Sequence, residues 1–438
     1  MNLSVINPVV RWVVFAGIMT AAAALGGAGA RHAVAQHWAG SSAPEQWLRA
    51  AQLEPTDAEN WYRLGRYRQL DFEHADLPTA ISYYRRATGL NPNSAEYWMD
   101  LAGAHENNRD SAKAEQAFHA ALQDYPISGE VAWRFGNFLL RQGRTDEAFQ
   151  EIRRAVSVEP QLISLAISRC WRGTGDINRI LDLALPPNSD AYWGAIDFFV
   201  DAKEFDAATA VWERLVKNGA TFPVSKAFPL LDMLIESGHG VEAEKIWQQV
   251  LKIGGVSSQA VPGGSLIWNG GFEGELLNGG FDWRYRPVDG VDVNLDVSNV
   301  HGGNRSLRLI FDDTANVNFE HVSQYVVVAP RTHYRFRAFV RSQDLTTDSG
   351  IRFQIEDASH PDSSSQFQRD PPQFTPNVVG TQPWTSNDAE FTTGAQTNLL
   401  SVTLRRVPSN RLANKISGTA WVDDISLTPS VATSAASR

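Results

Sequence analysis

Three prolines, Pro92, Pro126 and Pro160, stand at intervals of 34 residues. A fixed period of that size restricts the chain around them to a helical solenoid. In the stretch from Ala95 to Pro126, Leu101 and Ala102 fall on the inner face of a first helix. Ala114, Phe118 and Ala121 form an i, i+4, i+7 stripe on a second. The alanines let the two helices approach closely, and the larger residues fill the space between them. Proline then ends the second helix, because it drives the preceding residue out of the helical region.

Trp98, Leu101, Ala102, Ala114, Phe118, Ala121 and Pro126 occupy the offsets of the tetratricopeptide repeat, which this unit resembles. The resemblance implies an array of helix pairs that binds a protein partner on its concave face. A preceding unit carries Trp61, Leu64, Gly65, Ala80, Tyr84, Ala87 and Pro92, with three extra residues in its turn DFEHADLP. A following unit carries Phe135, Gly136, Leu139, Ala148, Ile152, Ala155 and Pro160, with Ala132 in place of the leading tryptophan. PEQWLRAAQLEP reads as the second helix of a leading unit. Beyond Pro160 three degenerate helix pairs follow, Leu162 to Leu185, Asp190 to Lys217 and Val224 to Lys252, as expected where an array stops or meets another domain.

The formal charge of −10 and the absence of a long basic stripe exclude a nucleic-acid partner. A single cysteine, Cys170, excludes an intramolecular disulfide and a cysteine-based zinc site, and reads as a buried small hydrophobe. From Trp12 to Ala30 the chain is uncharged, between Arg11 and Arg31. Nineteen such residues span about 30 Å as a helix, enough to cross a membrane. The alternative is a signal peptide cleaved after Ala33-Val34-Ala35. Both readings export the rest of the chain, and an uncleaved anchor facing the periplasm or the cell exterior is the preferred one.

At Gly254 the composition changes to GGVSSQAVPGG, and beyond it the hydrophobic period falls from helical to two. Alternating runs at Arg305 to Phe311, Tyr334 to Arg341, Ile351 to Glu356, Leu400 to Arg405 and Ala420 to Leu427 suit an antiparallel β-sandwich or jelly roll. The chain thus reads as α then β: a signal-anchor or signal peptide over 1–35, a solenoid over 36–253, a linker over 254–264, a sandwich over 265–429 and a disordered tail over 430–438. The segment Ala358 to Pro383 leans to disorder by composition.

IWNGGFEGELLNGGFDWRY, HGGNRSLRL and WVDDISL together resemble the jelly-roll carbohydrate-binding modules with a galactose-binding-like fold. That resemblance implies a structural calcium held by Glu273 and by Asp423 or Asp424, with backbone carbonyls completing an oxygen shell. Trp283, Tyr285 and Trp384, in or near expected loops, are candidates for stacking on sugar rings, whereas Trp268 and Trp421 read as core. Alternation puts Arg335, Arg337 and Arg341 outward, and likewise Arg352, Gln354, Glu356, Ser401, Thr403 and Arg405. If those strands are neighbours they form a cationic, hydrogen-bonding face suited to an acidic polysaccharide or an acidic protein.

No phosphate-binding glycine loop, His-Glu-x-x-His, G-x-S-x-G or Cys-x-x-Cys occurs. The sequence therefore reads as a non-enzymatic exported scaffold, its array on a protein and its sandwich on a polysaccharide or cell-envelope component, in exopolysaccharide assembly or export. The alternatives are a purely protein-binding adaptor, with the sandwich as docking module, and a glycan-modifying enzyme that uses a carboxylate pair.

Overall fold

The structure, a computed structural model, describes residues 8–256, 264–359, 370–412 and 414–430. The chain divides into two compact units, Met1–Ala191 and Tyr192–Arg438.

The first unit is helical. A long helix α1 (Pro8–Ala39) leads to α2 (Pro44–Leu53), α3 (Ala58–Leu70), α4 (Leu77–Leu90), α5 (Ala95–Asn107), α6 (Ser111–Asp124), α7 (Gly129–Arg141), α8 (Thr145–Val158), α9 (Ile163–Thr174) and α10 (Ile177–Leu183). Two of the pairs show the expected small-against-large packing directly. A methyl group on Gly65 would lie 2.7 Å from the ring of Tyr84, and one on Gly136 3.0 Å from Ile152. Polar side chains cap the starts: Asp57, Asp76, Ser94, Asp110, Ser128 and Asp176 each accept a backbone N–H of the following turn. The leading tryptophans have a second job besides packing. Trp61 and Trp98 each donate their indole N–H to a proline carbonyl six residues back, on Pro55 and Pro92, and so lock the incoming turn. Ala132 cannot, so the third unit dispenses with that lock.

Helix α1 runs through the apolar segment without a break. Its side chains are exposed from Val9 to Val34, whereas Ala35 and Ala39 are buried. His32 Nδ1 lies 2.8 Å from Glu54 just beyond α2, and Arg63 of α3 donates to the Ala39 carbonyl. The end of the apolar helix is therefore the first helix of the leading pair, the one that PEQWLRAAQLEP lacks as a partner in the sequence.

The second unit begins within α11 (Ser189–Asp201) and continues through α12 (Phe205–Lys217), α13 (Phe228–Glu236) and α14 (Gly240–Ile253) into ten described strands. These are β1 (Arg284–Tyr285), β2 (Val291–Asp296), β3 (Ser306–Asp312), β4 (Phe319–Val327), β5 (His333–Leu345), β6 (Arg352–Asp357), β7 (Gln373–Phe374), β8 (Gly380–Thr392), β9 (Leu399–Arg406) and β10 (Ser417–Pro429). They form two antiparallel sheets, ordered β1-β4-β9-β6-β7 and β2-β3-β10-β5-β8. Inward side chains fill the space between, as alternation requires; Phe336 and Phe353 meet across it with ring centroids 5.0 Å apart. Arg406 departs from that rule. It is fully buried, and its guanidinium donates to the carbonyls of Val317, Ser349 and Asn414 and to Asn316 Oδ1. Burial lowers its pKa.

The expectation of disorder over Ala358 to Pro383 needs correction. Within Ala358 to Pro383, residues 370–383 carry β7 and the start of β8, so the polar composition conceals edge strands; 360–369 lie outside the described residues. The division into compact units falls within the helical array at Ala191, while 257–263 of the composition break and 431–438 of the tail lie outside the described residues. The last helix pair belongs with the sandwich for a specific reason. The turn Asn278-Gly279-Gly280 has no side chain where the rings of Phe228 and Trp247 rest. A methyl group on Gly280 would lie 2.6 Å from the Trp247 ring, and one on Gly279 would collide with Phe228. Trp247 also meets Trp268 edge to face at 6.1 Å. Trp268 is thus only half-buried and packs against a helix, while Trp421 is buried and donates to Asp296.

Candidate functional site: a cleft on the β1-β4-β9-β6-β7 sheet

The outer face of this sheet is ordered by register. Arg284 pairs with Ser323, Ser323 with Thr403 and Thr403 with Gln354, which gives one transverse row. Tyr325, Ser401 and Glu356 form the next row, and Arg405 and Arg352 the third. Directly opposed residues share a face. The polar positions of β6 and β9 are therefore contiguous, and β4 and β1 extend them. Above them lies a cleft of about 430 Å³, lined by residues of β1, β4, β6 and β9 and by Asp232, Ile235 and Glu236 of α13.

Most polar groups of the cleft are tied to one another. Arg284 donates to Asp232 at 2.5 Å and to the Gly280 carbonyl at 2.9 Å, and its guanidinium lies 5.2 Å from the Tyr325 ring centre. Arg405 bonds Asn318 at 2.7 Å and approaches Glu320 at 3.3 Å. Gln354 donates to Glu356 at 2.9 Å. Arg286 makes no ion pair among the described residues, though its backbone N–H reaches the His321 carbonyl. Burial, helped by the charge of Asp292, raises the Tyr285 pKa.

Of the residues singled out in the sequence, Gln354, Glu356 and Arg405 meet in this cleft. Trp283 does not. It is fully buried, packs against Phe272 with ring centroids 5.5 Å apart and donates to the Asn269 carbonyl. Tyr285 alternates with Arg284 and Arg286 and packs against the sandwich core. Trp384 and Arg337 lie on the other sheet. There His301 stacks on Phe339 at 3.6 Å and meets Trp384 edge to face at 5.7 Å. Arg335 and Arg337 both bond Asp388, at 2.9 and 3.1 Å. Burial works to raise that carboxyl's pKa, but the bonds from Arg337 and Arg335 hold it below the ordinary range. The face is also not the cationic surface expected. Arg284, Arg286 and Arg405 meet Glu320, Glu356, Asp232 and Glu236, because β4 and α13 supply acids that the reading of β6 and β9 did not include. Tyr325 is the cleft's aromatic residue; the alternation in FEHVSQYVV, with Val322 and Val326 inward, was the signal for it.

Glu273, Asp423 and Asp424 do converge, on the loop 301–305. Glu273 accepts the N–H groups of Asn304 and Arg305. Asp423, fully buried, accepts those of His301 and Gly302, and Asp424 lies 2.6 Å from His301 Nδ1. Burial raises the Asp423 pKa to about 6 against these hydrogen bonds. For Glu273, burial is outweighed by the bonds from Asn304 and Arg305, and its pKa falls. Among the described residues no group of three or more His, Cys, Asp or Glu side chains stands ready to hold a metal ion.

In the first unit, α3, α5 and α7 are joined by a ladder of polar contacts. Tyr62 donates to Glu96 and Asp100, Tyr97 to Glu59, Arg134 to Asp100, and Arg141 to both oxygens of Glu106. Burial, then the bonds to these acids, raises the pKa of both tyrosines. The tetratricopeptide-repeat family model matches residues 69–126 and 104–161. Residues 69–161 are tetratricopeptide repeats. No curated protein matches the sequence. Among solved structures, a crystal structure of MamA protein is 17% identical, over 44% of this chain and 96% of that one, with a TM-score of 0.28. A structure reported for CBM4 structure and function is 13% identical, over 37% of this chain and 99% of that one, at 0.27. The CBM22-1 xylan-binding domain from Paenibacillus barcinonensis Xyn10C is 16% identical, over 36% and 90%, at 0.25. The ladder on α3, α5 and α7 thus lies largely within the tetratricopeptide repeats, with most of α3 preceding the matched residues.

Proposed function

We propose that the protein is a membrane-tethered, non-enzymatic scaffold whose tetratricopeptide repeats bind a protein partner and whose sandwich binds a polysaccharide. The observation that carries the sugar reading is the cleft itself. It is open and sheet-floored, and Ser323, Thr403, Gln354 and Tyr325 carry hydroxyl and amide groups able both to donate and to accept hydrogen bonds, as sugar hydroxyls require. The exposed acids and arginines on α3, α5 and α7 support the protein-binding role, and export and polysaccharide assembly complete the reading. Calorimetric titration of the full chain in detergent against neutral and acidic oligosaccharides tests it. Saturable heat that Tyr325→Ala and Thr403→Ala both diminish is expected; no heat with any glycan leaves only the adaptor reading.

The tether is an uncleaved anchor in this proposal. One helix in the described residues, Val9–Ala39, is long and apolar enough to span a membrane. Cleavage after Ala35 would cut that helix where it starts to pack and would remove the His32 contact to Glu54. Amino-terminal sequencing of the protein from membranes is expected to read residues ahead of Trp12.

A calcium ion at Glu273, Asp423 and Asp424 is a separate part of the proposal. Oδ1 of Asp424 and of Asp423 flank Gly271, 3.5 and 3.9 Å from where a methyl group would sit, and hard oxygen donors of this kind suit calcium. Bound there, it would cross-link the last strand to the opening loop, with the His301 contact to Asp424 giving way. Melting with and without calcium is the check. A rise that Glu273→Ala abolishes is expected, and an unchanged melting temperature removes the ion.

A further inference from the structure

We infer that α13 is the selectivity wall of the cleft and that it restricts the ligand to an uncharged glycan. This rests on the sugar reading of the sandwich and adds the ligand class and the residues that set it. Asp232, Ile235 and Glu236 stand at i, i+3 and i+4 and so share one face of α13, the face that lines the cleft. The wall is fixed to its floor. Phe228 of α13 and Trp247 of α14 rest on Gly279 and Gly280, immediately ahead of β1, and Asp232 bonds Arg284 on β1 itself. A helix held at these points keeps its carboxylates at a set height over the sheet.

The wall changes the sign of the site. Among the residues that line the cleft, those outside α13 set three guanidinium groups against two carboxylates, Glu320 and Glu356; α13 adds Asp232 and Glu236, and the carboxylates then outnumber the guanidinium groups. Two of the three arginines are already committed, Arg284 to Asp232 and Arg405 to Glu320. A polyanion entering here would meet Glu236 and Glu356, with Arg286 the one cleft arginine that makes no ion pair among the described residues. A neutral pyranose meets no such opposition. Its hydroxyls donate to the carboxylates and accept from the guanidinium and amide groups, so an evenly mixed set of charges suits it. Glu236 is exposed at the end of α13 and makes no ion pair among the described residues, which makes it the group best placed to test the wall without disturbing the fold.

The experiment is calorimetric titration of the full chain with xylohexaose or cellohexaose as neutral probes and an oligogalacturonate as the acidic one. The wild-type chain is expected to bind a neutral probe and not the acidic one. Glu236→Lys is expected to weaken the neutral probe by about tenfold and to admit the acidic one, while Asp206→Lys, an exposed acid on α12, changes neither. Preference of the wild-type chain for the oligogalacturonate overturns the inference and leaves the sugar reading intact. Neutral binding that ignores Glu236→Lys yet is abolished by Thr403→Trp, which fills the floor, shows a ligand on the sheet without the wall and also overturns it. Binding of no probe overturns the inference and the sugar reading together.

Discussion

The helix pairs α5–α6 and α13–α14 differ in what their aromatic rings meet. In α5–α6 the ring on the second helix also meets the next helix pair: Phe118 packs on Phe135 and Phe138 of α7, with centroids 5.3 Å apart in each case. In α13–α14 the outward rings, Phe228 and Trp247, find the bare backbone of a β-turn. The apparent decay of the repeat is therefore an exchange of partner. Residues that no longer fit a following repeat fit Gly279 and Gly280 instead, as terminal units of an array commonly do when they meet another fold.

Two substitutions separate the helix pairs. Phe118→Ala removes a fully packed ring and is expected to destabilise the first unit by about 3–5 kcal/mol. Hydrogen exchange should show α5, α6 and α7 losing protection while the sandwich keeps its own. Gly280→Val is the converse. It places a branched side chain at a left-handed φ of 58° against the Trp247 ring, and a cost of about 1–3 kcal/mol is expected. Here α13, α14 and β1 should lose protection and the repeats should not. Equal effects of the two substitutions on both units would remove the distinction.

A smaller effect separates the units by pH. Burial raises the Asp282 pKa to about 6, with the N–H of Leu277 pulling the other way. A carboxyl whose folded pKa exceeds its ordinary value contributes stability that is complete below about pH 4 and is lost as the pH climbs through 6. The second unit should thus melt higher at pH 5 than at pH 7.5, by on the order of 1–3 kcal/mol, and Asp282→Asn should flatten part of that slope. The smallest effect is expected from Arg141→Ala on the repeat ladder, about 0.5 kcal/mol by chemical denaturation, since that pair with Glu106 is half exposed.

The two halves were legible in the sequence to different depths. The helical period revealed the repeats because each packs on its neighbours in the chain, so that Ala114, Phe118 and Ala121 report a local arrangement. Strand alternation gave the correct facing of Gln354, Glu356, Thr403 and Arg405 for the same reason. Neighbouring strands are another matter. β4 and β9 pair across about half of the sandwich sequence, and no local pattern reports that Tyr325 sits beside Ser401. The stretch NGGFDWRY looked like a ligand loop, yet it seats Trp247 and buries Trp283. What fixes the roles of its residues is a helix ahead of the linker. The cleft's charge balance was hidden likewise, since Asp232 and Glu236 belong to α13 and meet the sheet only in the folded second unit.

The central claim is that α13 and the β1-β4-β9-β6-β7 sheet make a single ligand cleft, and hydrogen exchange of the full chain with and without a saturating neutral hexasaccharide tests it most directly. The account predicts simultaneous protection of peptides covering α13, β4 and β9, with no change in β5 and β8 around Arg337 and Trp384. Protection confined to β5 and β8, or to the sheet with α13 unchanged, would contradict it.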